Sequence, residues 1–208
     1  MKIIKTLLVV SFVFCDMSFA VELSSKHLAD QLDSKYKSIK TLKCNFEQDY
    51  LNKNFEHTVK QSGEVVIKIP AKMIFRYLQP ADERKEIISD GKEIVMYYPK
   101  DKTYLKLSDF TSEGSVLGLS FLWGKGKISE QFSIISETKE ILVVKPKKKN
   151  DKIQQVEITV DPKKHIVKRI VIIDKEKNKN DMSFSQCVIN QPTNETFKIP
   201  EDAHMIKK

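Results

Sequence analysis

One stretch of this chain, residues 63–99, limits the folds that it can adopt. Within it, Asp90-Gly91 lies between two short apolar runs, and an Asp-Gly pair supplies the positive φ angles of a two-residue type I′ turn. Upstream of this hairpin, on both sides of Pro70, large apolar side chains recur at every second position. The stretch therefore predicts four consecutive antiparallel strands that share one strongly apolar face.

Alternating apolar residues recur along most of the remaining chain. A first strand is predicted over 42–50, another over 101–107, and five more after Gly126, while 197–200 forms a final short extended piece. Their connections are short and polar, as hairpins require. The total is about ten or eleven strands, and a meander of this length curls because strands twist. The predicted fold class is mainly β with α, an antiparallel β-barrel that is closed or partly open.

The segment that precedes the first strand predicts a helix. Over 24–41, apolar residues from Leu28 to Ile39 recur at spacings of four, four and three, with polar residues between them. This spacing is typical of an amphipathic helix. Ser24 or Ser25 is the expected N-cap. The apolar stripe of this helix must pack against another part of the chain.

A second helical segment is predicted in the middle of the chain. Over 116–123 strict alternation is absent, and Gly124 follows as a helix end. The segment is apolar on nearly all sides, which a connection that faces solvent should not be. It is therefore expected to be either a buried plug or a cover over an apolar surface.

The first twenty residues have the pattern of a secretory signal peptide. Lys2 and Lys5 precede an apolar run over 6–14, and small residues in Ser18-Phe19-Ala20 end it. The run is too short for a membrane-spanning helix, which needs about 20 residues. Cleavage is expected after Ala20, which leaves 21–208 as a single domain.

The three cysteines have different expected fates. Cys15 follows Val13 and Phe14, whereas a lipid-modified cysteine resembles one that follows a small residue, so we expect no lipid anchor. Cleavage leaves Cys44 and Cys187 in an oxidising compartment, where they form either one disulfide or two buried free thiols. Which of the two holds depends on the distance between their Cα atoms.

Charge and motifs exclude several classes of function. The net charge of +8 favours anionic membrane surfaces or acidic partner patches. Export and the absence of an aromatic stripe among the lysines argue against nucleic acid. No histidine lies at metal-ligand spacing from another ligand, and neither a hydrolase elbow nor a phosphate-binding glycine loop occurs. We therefore expect neither a metal nor a cofactor, and an enzyme is disfavoured.

Large apolar side chains are the surplus that remains to be explained. On pattern alone, a packed core is favoured over a surface that receives a ligand. The residues in question are Val65, Ile67, Met73, Phe75, Tyr77, Val95, Tyr97, Leu119, Leu122 and Trp123.

Several short motifs follow one another along the chain: Leu42-x-x-x-Phe46-x-Gln48, Lys68-x-Pro70, Ser89-Asp90-Gly91, Phe121-Leu122-x-Gly124-x-Gly126, Val160-Asp161 and Phe197-x-x-Pro200. In this order they resemble the LolA family of periplasmic lipoprotein carriers. This resemblance implies an unclosed antiparallel β-barrel with a helical lid, whose cavity receives the acyl chains of lipoproteins. An inner-membrane ABC transporter would supply these lipoproteins and an outer-membrane lipoprotein receptor would accept them; the carrier is expected to be a periplasmic monomer.

The resemblance also implies the residues of the site. Many family members carry an arginine immediately before the proline, where this chain has Ile69. Either Arg76 makes the corresponding lid contact or the lid closes by apolar packing alone. The rival functions are an outer-membrane receptor of the same fold, a lipid-sensing regulatory domain and, third, a hydrolase. The cavity is expected to be lined by Leu28, Leu32, Phe46, Val65, Ile67, Met73, Phe75, Tyr77, Val95, Tyr97, Leu119, Leu122 and Trp123.

Overall fold

Strands with alternating burial form one open, curled sheet in the computed structural model, which describes residues 27–107, 119–148 and 152–206. The predicted fold class is confirmed, with twelve strands in place of ten or eleven. The strands are β1 Thr41–Asn52, β2 His57–Lys68, β3 Lys72–Gln79, β4 Lys85–Asp90, β5 Ile94–Tyr98, β6 Thr103–Lys106, β7 Phe132–Glu137, β8 Ile141–Pro146, β9 Ile153–Val160, β10 Val167–Asp174, β11 Lys179–Ile189 and β12 His204–Met205.

The chain builds this sheet outward from its centre. The spatial order is β12-β6-β5-β4-β3-β2-β1-β11-β10-β9-β8-β7, so β1 is central and the chain meanders from it towards one edge. It then crosses to β7 at the opposite edge and meanders back until β11 pairs with β1. β12 pairs parallel with β6, and the other pairs are antiparallel. The crossing between β6 and β7 therefore links the two edges of an unclosed sheet.

The part of the sheet formed by β2–β5 is apolar on both faces. We call inner the face whose side chains pack with the helices in the main core, and outer the opposite face. Val65, Ile67 and Phe75 lie on the inner face. Val66 and Ile74, one residue away from them along the strands, are buried in a separate cluster on the outer face. When a strand is buried on both faces, its apolar residues do not indicate which of the two faces packs in the main core.

The first helix, α1, covers Leu28–Ser38 and is shorter than the predicted segment. Its buried residues include Leu28, Leu32 and Tyr36, which confirms the predicted apolar stripe. The N-cap is His27, and the backbone N–H of Leu28 donates a hydrogen bond to the carboxylate of Glu137 on β7. The predicted N-caps at 24 and 25, like the predicted signal peptide, lie outside the described residues.

The hairpin between β4 and β5 has a wider loop than the sequence predicts. Ser89 pairs with Ile94, so the loop comprises the four residues 90–93, and the predicted two-residue turn is wrong. The carboxylate of Asp90 explains the difference, because its Oδ1 accepts the backbone N–H groups of Lys92 at 2.8 Å and Glu93 at 2.9 Å. These bonds hold the pKa of Asp90 below its usual range. The bonds satisfy the backbone N–H groups of Lys92 and Glu93 and so stabilise the wider loop.

The segment after β11 covers the outer face. The predicted final piece at 197–200 is not a strand of the sheet; instead Phe197 is buried on Val66 and Ile74. The guanidinium of Arg76 donates to Glu195 in this segment and, at 2.9 Å, to Glu64 on β2. The pairing of β12 with β6 then fixes the end of the segment. The C-terminal segment is therefore held on the outer face of β2–β5 by the hydrogen bonds of Arg76 and by the burial of Phe197.

A disulfide joins the two central strands. Cys44 on β1 and Cys187 on β11 are bonded, and their Cα atoms lie 4.2 Å apart. They are separated by 143 residues in sequence, so the bridge closes a long loop. Such a bridge stabilises a fold by roughly 2–5 kcal/mol, chiefly by restricting the unfolded chain. It connects the outgoing meander with the returning one.

We predict that the attachment of the C-terminal segment weakens in acid. The hydrogen bonds from Arg76 hold the pKa of Glu195 below its ordinary value of 4.5. A lowered folded-state pKa gives stability that is present above the ordinary value and is lost as pH falls through the folded value. Glu195→Gln should therefore lower the free energy of unfolding by about 1–2 kcal/mol at pH 7 and by progressively less below pH 4.5.

Chemical denaturation across this pH range measures the effect. Glu201→Gln is the control, because it neutralises an exposed carboxylate in the same segment. A difference between wild type and Glu195→Gln that does not shrink in acid would contradict the prediction.

Candidate functional site

The structure brings most of the predicted cavity residues together. Those on α1, β1, β2, β3 and in the segment after residue 118 belong to one buried cluster on the inner face. The Phe46 ring lies 5.6 Å from Phe75 and 5.0 Å from Tyr77 between centroids. The residues in this cluster are Leu28, Leu32, Phe46, Val65, Ile67, Met73, Phe75, Tyr77, Leu119, Leu122 and Trp123.

Val95 and Tyr97 lie on the other face, which corrects their prediction as cavity residues. Val95 pairs with Ile88, and both belong to the outer cluster that Phe197 covers. The neighbouring pair, Ile87 with Met96, lies on the inner face instead. Because β4 and β5 carry apolar residues at consecutive positions, their alternation could not identify the inner face.

Two helical elements cover the inner face. We call them together the cover: α1 and residues 119–131, which contain a 3₁₀ helix over Ser120–Trp123 and the short helix α2 over Ile128–Gln131. The predicted short helix ending at Gly124 is confirmed, since Gly124 is its left-handed C-cap. The beginning of the predicted segment, 116–118, lies outside the described residues. The cover thus takes the place that the sequence assigned to a buried plug or lid.

The two parts of the cover are joined by polar and aromatic contacts. Asp33 on α1 accepts the backbone N–H of Ile128 through Oδ1 at 3.0 Å, and burial raises the pKa of this carboxyl. The rings of Tyr36 and Phe121 meet edge to face at a centroid distance of 6.1 Å. The Tyr36 hydroxyl oxygen also accepts the backbone N–H of Val167 on β10 at 3.3 Å. Tyr36 therefore ties the cover to the returning half of the sheet.

The cover is also attached to the ends of two hairpins, β2–β3 and β4–β5, in the other half of the sheet. The N–H of Ala71, between β2 and β3, donates to the Trp123 carbonyl at 2.8 Å. The ammonium of Lys125 donates to the carbonyl of Gly91 at 3.0 Å. These two bonds lie at the ends of neighbouring hairpins and fix one side of the cover.

Ile69 contacts the cover through apolar atoms. A Cβ added at Gly124 would lie 2.7 Å from Ile69 Cγ2, so the isoleucine packs directly on the glycine backbone. Arg76 lies in the charged cluster of the outer face, where it bonds Glu64 and Glu195. The alternative in which Arg76 holds the lid is therefore wrong, and apolar packing operates at the position of the family arginine.

Beneath the cover, the apolar interior is nearly filled. Its cavity has a volume of about 20 Å³, which is close to the space that one water molecule needs. Leu42 and Cys44 are not among the predicted cavity residues, although alternation along β1 places them on the face of Phe46. Val167 and Phe184 come from strands that are distant in sequence. The lining residues are Tyr36, Leu42, Cys44, Val65, Ile67, Phe75, Leu122, Trp123, Val167 and Phe184.

A larger, more polar cavity follows the seam between the two parts of the cover. Its volume is about 190 Å³, and Tyr36 belongs to the linings of both cavities. The seam is therefore separated from the apolar interior by single side chains. It is lined by Asp33, Tyr36, Lys37, Phe121, Gly124, Gly126, Lys127 and Glu130.

Two further classes of site were searched in the part of the chain that the structure describes. There, no three or more His, Cys, Asp or Glu side chains are grouped so that they could hold a metal ion. None of the helices described combines the length and the hydropathy needed to cross a membrane.

Comparison with known proteins places this geometry in context. A family model described as outer membrane lipoprotein carrier protein LolA matches residues 37–200. An outer-membrane lipoprotein carrier protein of Actinobacillus succinogenes is 25% identical over 154 residues, which cover 73% of this chain and 71% of that protein.

Solved structures share the fold at low identity. The LolA superfamily protein NE2245 of Nitrosomonas europaea matches with a TM-score of 0.53 and 12% identity, covering 84% of this chain and 98% of that one. An uncharacterized conserved protein of Thermus thermophilus matches with a TM-score of 0.54 and 10% identity, covering 87% and 97%. At these identities the two structures support the fold alone.

We predict that the contact between Gly124 and Ile69 limits what position 124 tolerates. Gly124→Ala should lower the free energy of unfolding because its methyl group meets Ile69 and because φ is +76°. In the Ile69→Ala background, the destabilisation caused by Gly124→Ala should be smaller by about 1–3 kcal/mol, the part due to overpacking. Urea denaturation followed through Trp123, the single tryptophan of the chain, measures both effects.

Gly126→Ala is the control for backbone strain. Its φ of +78° is nearly the same, but its added methyl group meets the tip of the Gln131 side chain and not Ile69. Ile69→Ala should therefore not rescue Gly126→Ala. Equal rescue of both glycine variants, or of neither, would show that Ile69 does not limit position 124.

Proposed function

This chain belongs to the LolA family of outer membrane lipoprotein carrier proteins, and from that membership we propose how it works as a periplasmic carrier. It accepts acylated lipoproteins from an inner-membrane ABC transporter, shelters their acyl chains between the inner face and the cover, and delivers them to the outer membrane. No chemical step is part of this function. An outer-membrane receptor takes the lipoprotein where one is present.

The observation that carries the proposal is an apolar interior closed by a separable cover. Leu122 and Trp123 fill the space above Val65, Ile67 and Phe75, but they belong to a segment outside the sheet. The sheet keeps its hydrogen-bonded strand pairs when such a segment moves. Displacing the cover therefore exposes apolar surface to a guest without breaking the sheet.

Energetics support the exchange of the cover for an acyl chain. Each methylene removed from water contributes about 0.8 kcal/mol, so a lipoprotein with several long chains needs a continuous apolar surround in transit. In the closed form, Leu122, Trp123 and their partners already bury this surface. The free energy of binding is therefore only the difference between the contacts of the acyl chain and the contacts of the cover that it replaces. This keeps the affinity for the acyl chain moderate and permits its release.

We propose the seam as the place where this exchange begins. Its cavity lies between α1 and residues 121–130, and Tyr36 lines both this cavity and the apolar interior. Rotation of the Tyr36 ring, together with that of Phe121 on which it packs, would join the cavities. The polar rim, including Asp33 and Lys127, would face the peptide part of the lipoprotein, which stays in water.

We predict that the mature protein binds a triacylated peptide and keeps it in solution. Because Trp123 is buried beneath the cover, uptake should change the wavelength or intensity of its emission as the cover moves. Ultracentrifugation with lipid vesicles measures the peptide that the protein extracts. A peptide that stays with the vesicles at every protein concentration would argue against a carrier.

Phe75→Glu should abolish this uptake while the fold remains detectable. The substitution places a carboxylate in the apolar interior, where neither water nor an acyl chain can solvate its charge. Phe55→Glu is the matched control, because Phe55 is 80% exposed on the β1–β2 connection. Circular dichroism reports the fold and vesicle extraction the uptake; unchanged uptake by Phe75→Glu would remove Phe75 from the site.

A further inference from the structure

The apolar lining of the inner face ends at amide side chains on three adjacent strands. Along β1, Leu42, Cys44 and Phe46 are followed on the same face by Gln48. Gln61 on β2 lies directly opposite Gln48. On β11, Met182 lies opposite Gln48, and Asn180 lies opposite Tyr50, two residues further along β1. Gln48 therefore interrupts the apolar side chains of β1 on the inner face, and an amide from each neighbouring strand completes this polar layer.

Gln48 is the buried centre of this layer. It is 8% exposed, and its Nε2 donates to Asn180 Oδ1 at 2.9 Å. Its Oε1 is buried and accepts no hydrogen bond from the residues that the structure describes. A buried carbonyl oxygen without a donor is unfavourable, and hydrocarbon placed against it cannot supply one.

Along β1, this layer lies beyond the residues that line the closed cavity. The cavity is lined by Leu42 and Cys44, and next along β1 comes Phe46, which packs on Phe75 and Tyr77. From Leu42 to Gln48 the strand rises about 20 Å. This span is comparable with the length of a long fatty acyl chain. A chain running along β1 would thus reach the aromatic rings first and the Gln48 amide last.

We propose, on the basis of the carrier function above, that Gln48 sets the longest acyl chain that the site accepts. A chain whose methyl end stops short of Gln48 is surrounded by apolar atoms. A longer chain presses its end against the Gln48 and Asn180 amides and gains nothing from the added methylenes. Gln48 is therefore a specificity-determining residue for acyl-chain length.

Triacylated peptides of one sequence, with chains of twelve to twenty carbons, test this inference. Wild-type affinity should rise with chain length up to a break point and stop rising beyond it. In Gln48→Leu the break point should move to longer chains, and the affinity for twenty relative to sixteen carbons should increase about ten-fold. Gln48→Met makes the same test with an unbranched side chain that adapts to the existing packing.

Glu47→Leu is the matched control, because Glu47 precedes Gln48 on β1 and is exposed on the opposite face. It should keep the wild-type break point. Wild-type affinity that rises through twenty carbons, or an unchanged break point in folded Gln48 variants, overturns the inference and leaves the carrier function standing. Failure of the wild type to bind any acylated peptide overturns both.

Discussion

The burial of the inner face against the cover is the interaction on which the rest of the structure depends. A curled sheet with Val65, Ile67 and Phe75 on one side cannot leave that side in water. α1 and residues 119–131 satisfy this requirement through their own apolar side chains. The contact that stabilises the empty protein is therefore the same contact with which an acyl chain would compete under the proposed function. Stability and the proposed moderate affinity would then have one physical origin.

The two faces of the sheet are closed by different kinds of interaction. On the outer face, Arg76 bonds carboxylates of β2 and of the C-terminal segment, and Phe197 fills the apolar surface beneath. On the inner face, contact between apolar side chains dominates. The few hydrogen bonds between cover and sheet described above are made at the hairpin ends and, by Leu28 and Tyr36, with β7 and β10. Directional charged bonds favour one fixed arrangement. Apolar contacts tolerate a change of partner, which suits the face proposed to exchange its cover for a guest.

The sequence predicts the strands better than it predicts their faces. Local patterns can be read directly from the sequence. A period of two predicts the strands of the meander, spacings of three and four predict the amphipathic helix, and Gly124 predicts a helix end. Faces depend on what packs against them. Ile87 and Ile88 are both buried, one under the cover and the other under Phe197, and nothing in their local sequence separates them. For this reason Val95 and Tyr97, which the sequence predicts for the cavity, lie on the outer face.

Contacts between distant segments do not follow from local patterns either. The bond between Cys44 and Cys187 depends on the pairing of β1 with β11, which brings together residues that are 143 apart in sequence.

The junction between α2 and β7 has a mechanical consequence. α2 ends at Gln131, and β7 begins with the next residue, Phe132. Motion of α2 is therefore transmitted through a single peptide bond to the edge strand of the sheet. Under the proposed function, opening of the cover is thus coupled to the position of β7 and, through strand pairing, to β8.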